Sequence, residues 1–458
     1  MTKNFPKIRL SNFLNDNYSN YTKSNCKIFY PKNNKDINNI LDYAKNNKKK
    51  ILPIGAGLSW YDTIFSTNNI IINLKNYNKK FVFDKKNGIL NVSTFYRIYE
   101  ILEFTKKHNW SLHSIPGSID VTIGGCIGND VHGKDSFKCG NFGENIIELD
   151  AILPNKKIVK CSKFKNKELF QSIIGGLGLV AVVVSAKLKL KKIAKTYETK
   201  HFICSNYKEI IKKIYLDNEN YDYVNGWINI FSKKSSLGSG VIFKSKKVFE
   251  KEIVKQNNFN TIKFISYFQY LAFSFCVKNN LMHILNYILF YLFKLKNKNY
   301  NSYEEITYPL SSYGVDVKKA INPNSFFEIQ VILKKNTLPY SLKDFILKCQ
   351  KLKLSGFVIG IKIHKKNDNY LSFSDDGVSI NINQIFNKNN FQQTYTKFKY
   401  LHDYVIKKKH KIYLCKDFLI NHKDLKANYK DAKKFLSIKK KYDPNELLYS
   451  DFYKRIKK

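Results

Sequence analysis

Three glycine-rich stretches lie between residues 53 and 179, and each sets small residues beside groups able to hold an anion. The first is Pro53, Ile54, Gly55, Ala56, Gly57, Leu58, Ser59, Trp60, directly after the strand-like KKKILPI. Residues with little or no side chain let backbone amides close on a phosphate. The spacing is not G-x-G-x-x-G and no helical pattern follows at once, which argues against a Rossmann dinucleotide fold. The second runs from Ile115 to Gly133 and places five glycines in seventeen residues, Gly117, Gly124, Gly125, Gly128 and Gly133. Ser118, Thr122 and Asn129 stand among them as hydrogen-bonding groups, with Val121 and His132 alongside. Such a run suits a nest for a pyrophosphate. The third, Ile174 to Leu179, holds Gly178 and precedes the apolar strand VAVVVSA that contains Val183. One loop of this kind is a plain turn; three in one stretch point to a bound nucleotide.

The elements that must position these loops follow from periodicity. Residues 27–190 alternate short apolar runs (NIIINL, GILNVS, IIELDAILP, LVAVVVSAKLKL) with the helical YRIYEILEFTKKHN. The fold class expected is α+β, in two domains. Residues 1–192 form the nucleotide domain. Residues 193–424 form a second sheet-and-helix domain, in which FFEIQVIL and GFVIGIKIH read as strands and SLKDFILKCQKL as a helix. Residues 425–458 supply a helix, a proline-containing turn and a tail that returns to the first domain. Within the second domain, residues 264–293 carry two apolar runs around Lys278, Asn279 and Asn280. Each run, about 14 residues, reaches only about 21 Å as a helix, too short for a hydrocarbon core of about 30 Å. It fits either core helices or a hairpin lying in a membrane interface, and the flanking Lys294, Lys296 and Lys298 favour the interface.

A formal charge of +43 would ordinarily suggest nucleic acid, yet of 79 basic residues only Arg9, Arg97 and Arg455 are arginine. Base and phosphate recognition relies on the arginine fork, so nucleic acid is not an expected partner. An anionic membrane face or a phosphate-bearing substrate remains consistent with so many lysines. The eight cysteines form no C-x-x-C pair and no Cys/His cluster with metal spacing, so free thiols and no metal are expected. The first residues, MTKNFPKIRLSNF, lack the apolar stretch and small-residue cleavage site of a secretory signal, making the cytoplasm the expected compartment.

The order and spacing of the three loops resemble the FAD-binding domain of the vanillyl-alcohol oxidase and p-cresol methylhydroxylase (PCMH-type) superfamily. The resemblance implies FAD, with the first loop around its pyrophosphate, the second along the flavin and the third over the nucleotide. Many members attach FAD covalently through a histidine in the first loop; here that place holds Leu58, which implies non-covalent FAD. Within the superfamily the chain resembles the decaprenylphosphoryl-β-D-ribose 2-oxidase family through DVHGK at 130–134, YLCKD at 413–417 and KKKYDPNELLYSDF at 439–452. Trp227 in NGWIN, Gln330 in FEIQVIL and Lys362 in IGIKIH match as well. Asn381 in GVSINI stands where that family has a reactive cysteine, Trp60 where it has a tyrosine, and Glu328 where it has a glutamine.

That resemblance implies oxidation of the C2 hydroxyl of a polyprenylphosphoryl ribose, giving a 2-keto sugar for a separate short-chain reductase. The lysines and the apolar segment leave the expected compartment as the cytoplasm, free or peripheral on the inner face of the plasma membrane. The resemblance nominates Lys416 as base or orienting cation, Tyr413 as a flavin or substrate contact and His132 as a flavin-side hydrogen-bonding group. A phenol near its ordinary pKa of about 10 is a poor base at neutral pH. Lys362 would hold the phosphate, while Trp227, Gln330 and Asn381 would line the substrate pocket. Two alternatives stay open: a soluble sugar, polyol or aldonolactone oxidase of the same superfamily, and a basic binding protein that keeps the flavin fold without redox chemistry.

Overall fold

The computed structural model describes residues 11–16, 19, 23–248, 271–279, 281–295, 298–309, 320–356 and 359–457. Residues 264–270, Asn280 and Lys296, part of the apolar segment and its flank, lie outside them.

The apolar runs of the first domain become strands where the sequence places them. Ile51–Ile54 and Lys23–Phe29 both pair in parallel with Ile70–Asn73, and Ser11–Asp16 adds an antiparallel edge. A second, antiparallel sheet has the order Phe81–Asp84, Ile89–Ser93, Val182–Lys189, Ile146–Ile152, Ile158–Cys161. The glycine loops leave from these strands, so their backbones are fixed by ladders whose apolar residues are buried.

The second domain is built on an eight-stranded antiparallel sheet. Its order is Lys298–Ser302, Thr196–Cys204, Gly240–Lys247, Tyr223–Ile228, Gly360–His364, Gly377–Phe386, Ser325–Lys334, Lys411–Ile412. Alternation along the central strands decides what each face carries. Phe327, Ile329, Val331 and Leu333, with Ile361, Ile363, Val378, Ile380 and Ile382, enter one core. Helices Leu338–Lys351 and Phe391–Lys407 cover that core, the first with Leu338, Leu342, Phe345, Ile346 and Cys349 at the spacing of one helical face. The intervening positions, Glu328, Gln330, Lys362, His364, Ser379, Asn381 and Asn383, therefore share the opposite face. That face meets the first domain: Val224 N donates to Lys134 O at 2.9 Å, and Tyr413 Oη to Asn129 O at 3.3 Å.

The C-terminal segment closes back on the first glycine loop. Ile51 N donates to Leu447 O and Tyr449 N to Ile51 O, both at 2.8 Å. Arg455, one of three arginines, clamps Asp62 through Nε at 2.7 Å and Nη2 at 3.0 Å, and its Nη1 donates to Ile420 O at 2.6 Å. The turn from Asp443 to Leu448 is held by a buried pair in which Lys439 donates to Asp443, whose carboxylate also accepts from Leu447 N and Leu448 N at 2.8 Å each. Both side chains are 1% exposed. Asp443→Ala would leave a buried ammonium and two amides without that acceptor. The expected loss is about 3–5 kcal/mol in denaturant unfolding, and a loss near zero would show that the pair is dispensable.

Candidate functional site

The first loop and the second meet at Gly55 and Thr122. A Cβ on Gly55 would stand 2.1 Å from Thr122 Oγ1, so only glycine lets the strand end approach so closely. Gly178, at φ 74°, in turn faces the Pro53 carbonyl, where a Cβ would be 3.0 Å away. Gly57 and Gly117 front open space, with Gly57 in the left-handed region at φ 73°. Ile54, Ala56, Leu58, Ser59 and Trp60 are half-buried along the same wall.

The second glycine stretch is only partly a loop. Ile123–Asn129 is a short helix, with Thr122 Oγ1 accepting from Gly125 N at 3.1 Å as its N-cap. Gly124 N donates to Thr94 O at 2.7 Å, and Leu177 N to Gly128 O at 2.9 Å. The glycines of this turn thus serve close packing against Thr94 and the third loop as well as an open backbone. Val121 N-terminal to it bonds Ile98 through its carbonyl, Ser118 Oγ accepts from Asp120 N, and Val183 O accepts from Thr94 Oγ1 at 2.6 Å. Gly133 has no room for a side chain, since a Cβ would lie 2.8 Å from the Ser114 backbone. Gly55→Ala is expected to purify with little flavin; full flavin occupancy would show that the first loop can tolerate displacement.

His132 leaves this stretch and is buried against the polar face of the large sheet. Its Nε2 lies 3.3 Å from Gln330 Nε2, and its ring centroid 4.6 Å from that of His364 and 5.5 Å from that of Tyr413. With the Gln330 amide donating, Nε2 accepts and the ring proton sits on Nδ1. Burial above all, then Lys362, pushes the His132 pKa well below its ordinary value, and His364 falls to about 3 for the same two reasons. Both rings are therefore neutral near pH 7. Gln330 Nε2 also reaches Ser379 Oγ at 3.4 Å, and Ser379 Oγ meets His364 Nε2 at 2.9 Å. Tyr413 stacks on Phe373 at 4.6 Å, and burial holds its phenol protonated.

Lys416 sits on the next turn. Its Nζ contacts Glu328 Oε1 at 2.6 Å and lies 4.3 Å from the Trp60 ring centroid. Glu328 is 2% exposed, and its Oε2 accepts from Asn383 Nδ2 at 3.2 Å. Of the two roles open to Lys416, base or orienting cation, this pairing favours the cation. The turn itself is fixed by Asp417, whose Oδ1 accepts from Leu419 N at 3.1 Å and Ile420 N at 2.7 Å.

Lys362 is half-buried on the same face and makes no ion pair or hydrogen bond among the described residues. Burial, then the charge of Lys416, lowers its pKa to about 8; burial, then Lys362, lowers that of Lys134 to about 7. Lys134 Nζ donates to Ile306 O. Trp227, half-buried, stands across from Gly360 with Phe290 at 6.4 Å, and Asn381 Oδ1 is turned onto Gly360 N at 2.8 Å. Asn381 therefore serves the backbone beside Trp227 on this face.

The sequence-nominated residues His132, Gln330, Lys362, Tyr413 and Lys416 thus converge, with Trp227 and Asn381 beside them. His364, Ser379, Lys134 and Asp130 were not nominated. The alternation of GIKIH and GVSININ carries a signal for the first two, because it puts His364 on the face of Lys362 and Ser379 on that of Asn381. Asp130 gave none. Its buried carboxylate joins the domains, accepting from Gly143 N at 2.8 Å, from Asn367 Nδ2 at 2.9 Å and from Ser372 Oγ. His113, Asp135 and Cys139 bring donor atoms within 4.8 Å of one another, but Lys191 Nζ already occupies the Asp135 carboxylate at 2.5 Å. None of the eight cysteines is in a disulfide.

FAD fits what these residues present. Gly57 and Gly117 leave backbone open, and Asn129 Oδ1, His132 Nδ1 and Gln330 Oε1 are buried with no hydrogen-bond partner among the described residues. Buried polar atoms of this kind call for a partner. Residues 27–162 match a family described as FAD binding domain, and residues 325–456 one described as D-arabinono-1,4-lactone oxidase. The chain is similar to decaprenylphosphoryl-beta-D-ribose oxidase of Mycolicibacterium smegmatis, with 24% identity over 43% of this chain and 44% of the relative. D-arabinono-1,4-lactone oxidase of Debaryomyces hansenii shows 24% identity over 36% and 32%, and L-gulonolactone oxidase of Bos taurus 26% over 35% and 36%. The chain thus spans less than half the length of each of these relatives. Its cofactor is FAD, and its two matched segments are similar to those of FAD flavoproteins of the PCMH and vanillyl-alcohol oxidase type.

Proposed function

We propose that the protein is an FAD-dependent oxidoreductase that converts the C2 hydroxyl of a polyprenylphosphoryl-β-D-ribose to the 2-keto sugar. The observation that carries the substrate class is Lys362, an uncompensated cation in electrostatic reach of Lys134 and Lys416 on the polar face. Lysines whose pKa is lowered by burial and by a neighbouring ammonium, Lys416 for Lys362 and Lys362 for Lys134, gain most when an anion arrives. A neutral lactone supplies no such charge.

Bound FAD, held without a covalent bond since Leu58 replaces the attaching histidine, supplies the hydride acceptor. The remaining task is the hydroxyl proton. The Lys416 ammonium orients the alcohol and stabilises the oxygen as charge develops, and the Glu328 carboxylate, 2.6 Å from Lys416, takes the proton. His132 presents Nδ1–H toward the flavin side, and Tyr413 packs as a neutral wall. The keto product would pass to a separate short-chain reductase.

The second reading is an aldonolactone oxidase. Its support is the match of residues 325–456, which includes the strand bearing Glu328. Anaerobic mixing separates the two: reduction of the flavin by a polyprenylphosphoryl ribose supports the first, and reduction by an aldonolactone with none by the lipid sugar overturns it.

A further inference from the structure

Helix Met282–Leu295 is apolar on both of its sides. The inner side packs on the large sheet, with Phe293 5.2 Å from Phe243 and Phe290 6.4 Å from Trp227. Met282 joins a small core with Val277, Ile321 and Phe326. The outer side carries Ile284, Tyr287, Ile288, Tyr291, Leu292 and Leu295, spaced three and four residues apart and exposed by 46% to 71%. A surface helix of a water-soluble domain is polar at those positions. A contiguous apolar stripe of this kind marks an interaction face.

Charge selects the occupant. No Asp or Glu occurs from Leu271 to Ser302, and Lys278 and Lys294 are exposed without an ion pair among the described residues. Lys298, at the far end, pairs with Glu198 at 2.7 Å. A second copy of the chain would bring the same lysines, so two stripes would repel, and the whole chain carries +43. Anionic lipid headgroups complement both the lysines and the apolar stripe, and tyrosines between aliphatic groups suit the interface. At 14 residues the helix is about 21 Å long, and no described helix is long and apolar enough to cross a membrane. It would lie in the plane of the surface.

We propose that the outer face of Met282–Leu295 docks in the interface of an anionic bilayer, setting the Trp227 wall of the pocket beside the membrane. The benefit to catalysis rests on the polyprenylphosphoryl reading; the docking does not. The test is flotation of the full flavin-loaded chain on vesicles of phosphatidylcholine alone and of phosphatidylcholine mixed with phosphatidylglycerol, with no substrate present. Binding is expected at least about tenfold tighter to the mixed vesicles, weakening with salt. The double variant Ile288→Asp, Leu292→Asp is expected to lose about 100-fold or more while keeping its flavin spectrum. Undiminished flotation of that variant overturns the proposal. So does a wild type that binds neither vesicle, or one that forms a dimer which the double variant disrupts. Since flotation uses no substrate, its failure is separable from a failure of the lipid sugar to reduce the flavin.

Discussion

Lys416→Met is expected to slow anaerobic flavin reduction about 10²- to 10⁴-fold while leaving the bound FAD and the fold in place. Methionine keeps the packing on Trp60, 4.3 Å from the Lys416 ammonium, so the loss reports the charge rather than a cavity. Glu328→Gln should cost a comparable factor, because an amide cannot take the hydroxyl proton and leaves the Lys416 ammonium without its 2.6 Å partner. Rapid-mixing spectroscopy at saturating substrate measures both. If Glu328→Gln slows reduction only slightly while Lys416→Met abolishes it, the proton leaves by another group and Glu328 only positions the lysine. Unchanged reduction in Lys416→Met would remove that residue from the mechanism.

Lys362→Met should raise KM for a phosphate-bearing sugar about 10- to 100-fold with a smaller effect on kcat, the value of a charge-assisted contact. The pH dependence has a fixed sign. In the free protein Lys134 and Lys362 titrate at about 7 and about 8, below the ordinary lysine value, and an anionic ligand raises both. Affinity is therefore full below about pH 7 and falls as pH rises through both values, by up to about tenfold per pH unit for each lysine. A phosphodiester keeps its charge across this range, so the change belongs to the protein. Removing Lys362 also relieves the repulsion on Lys134, and the remaining limb should move to higher pH. A KM that stays flat from pH 6 to 9 would mean that these lysines do not meet the substrate's charge.

Much of this arrangement is legible in the sequence, for reasons that differ by residue. The glycines are readable because Gly55 and Gly178 stand where a Cβ would meet Thr122 or the Pro53 carbonyl, and chains leave such positions to no other residue. The polar face of the large sheet is readable in the period of two along FFEIQVIL and GIKIH. Glu328 stood out only as a departure from the expected glutamine; that it pairs with Lys416 depends on a contact between residues 88 positions apart, which periodicity does not encode. The bridging role of Asp130 was invisible for a similar reason, since its partners Asn367 and Ser372 belong to another domain. The Ile123–Asn129 helix was hidden by its three glycines, poor helix formers whose cost is met by the Thr122 cap and by packing on Thr94 and Gly178. The apolar run near residue 290 gave the helix but not its two faces, one on Trp227 and the other outward.

On the proposed function, a flavin and the Lys416–Glu328 pair oxidise a hydroxyl of a sugar whose phosphate is held by Lys362. The direct measurement is the visible spectrum of the purified protein under anaerobic conditions before and after a polyprenylphosphoryl ribose is added. The expected result is an oxidised flavin that is released as free FAD on denaturation and that bleaches with the lipid sugar and not with an aldonolactone. A colourless protein, or a flavin that bleaches only with the lactone, would contradict it.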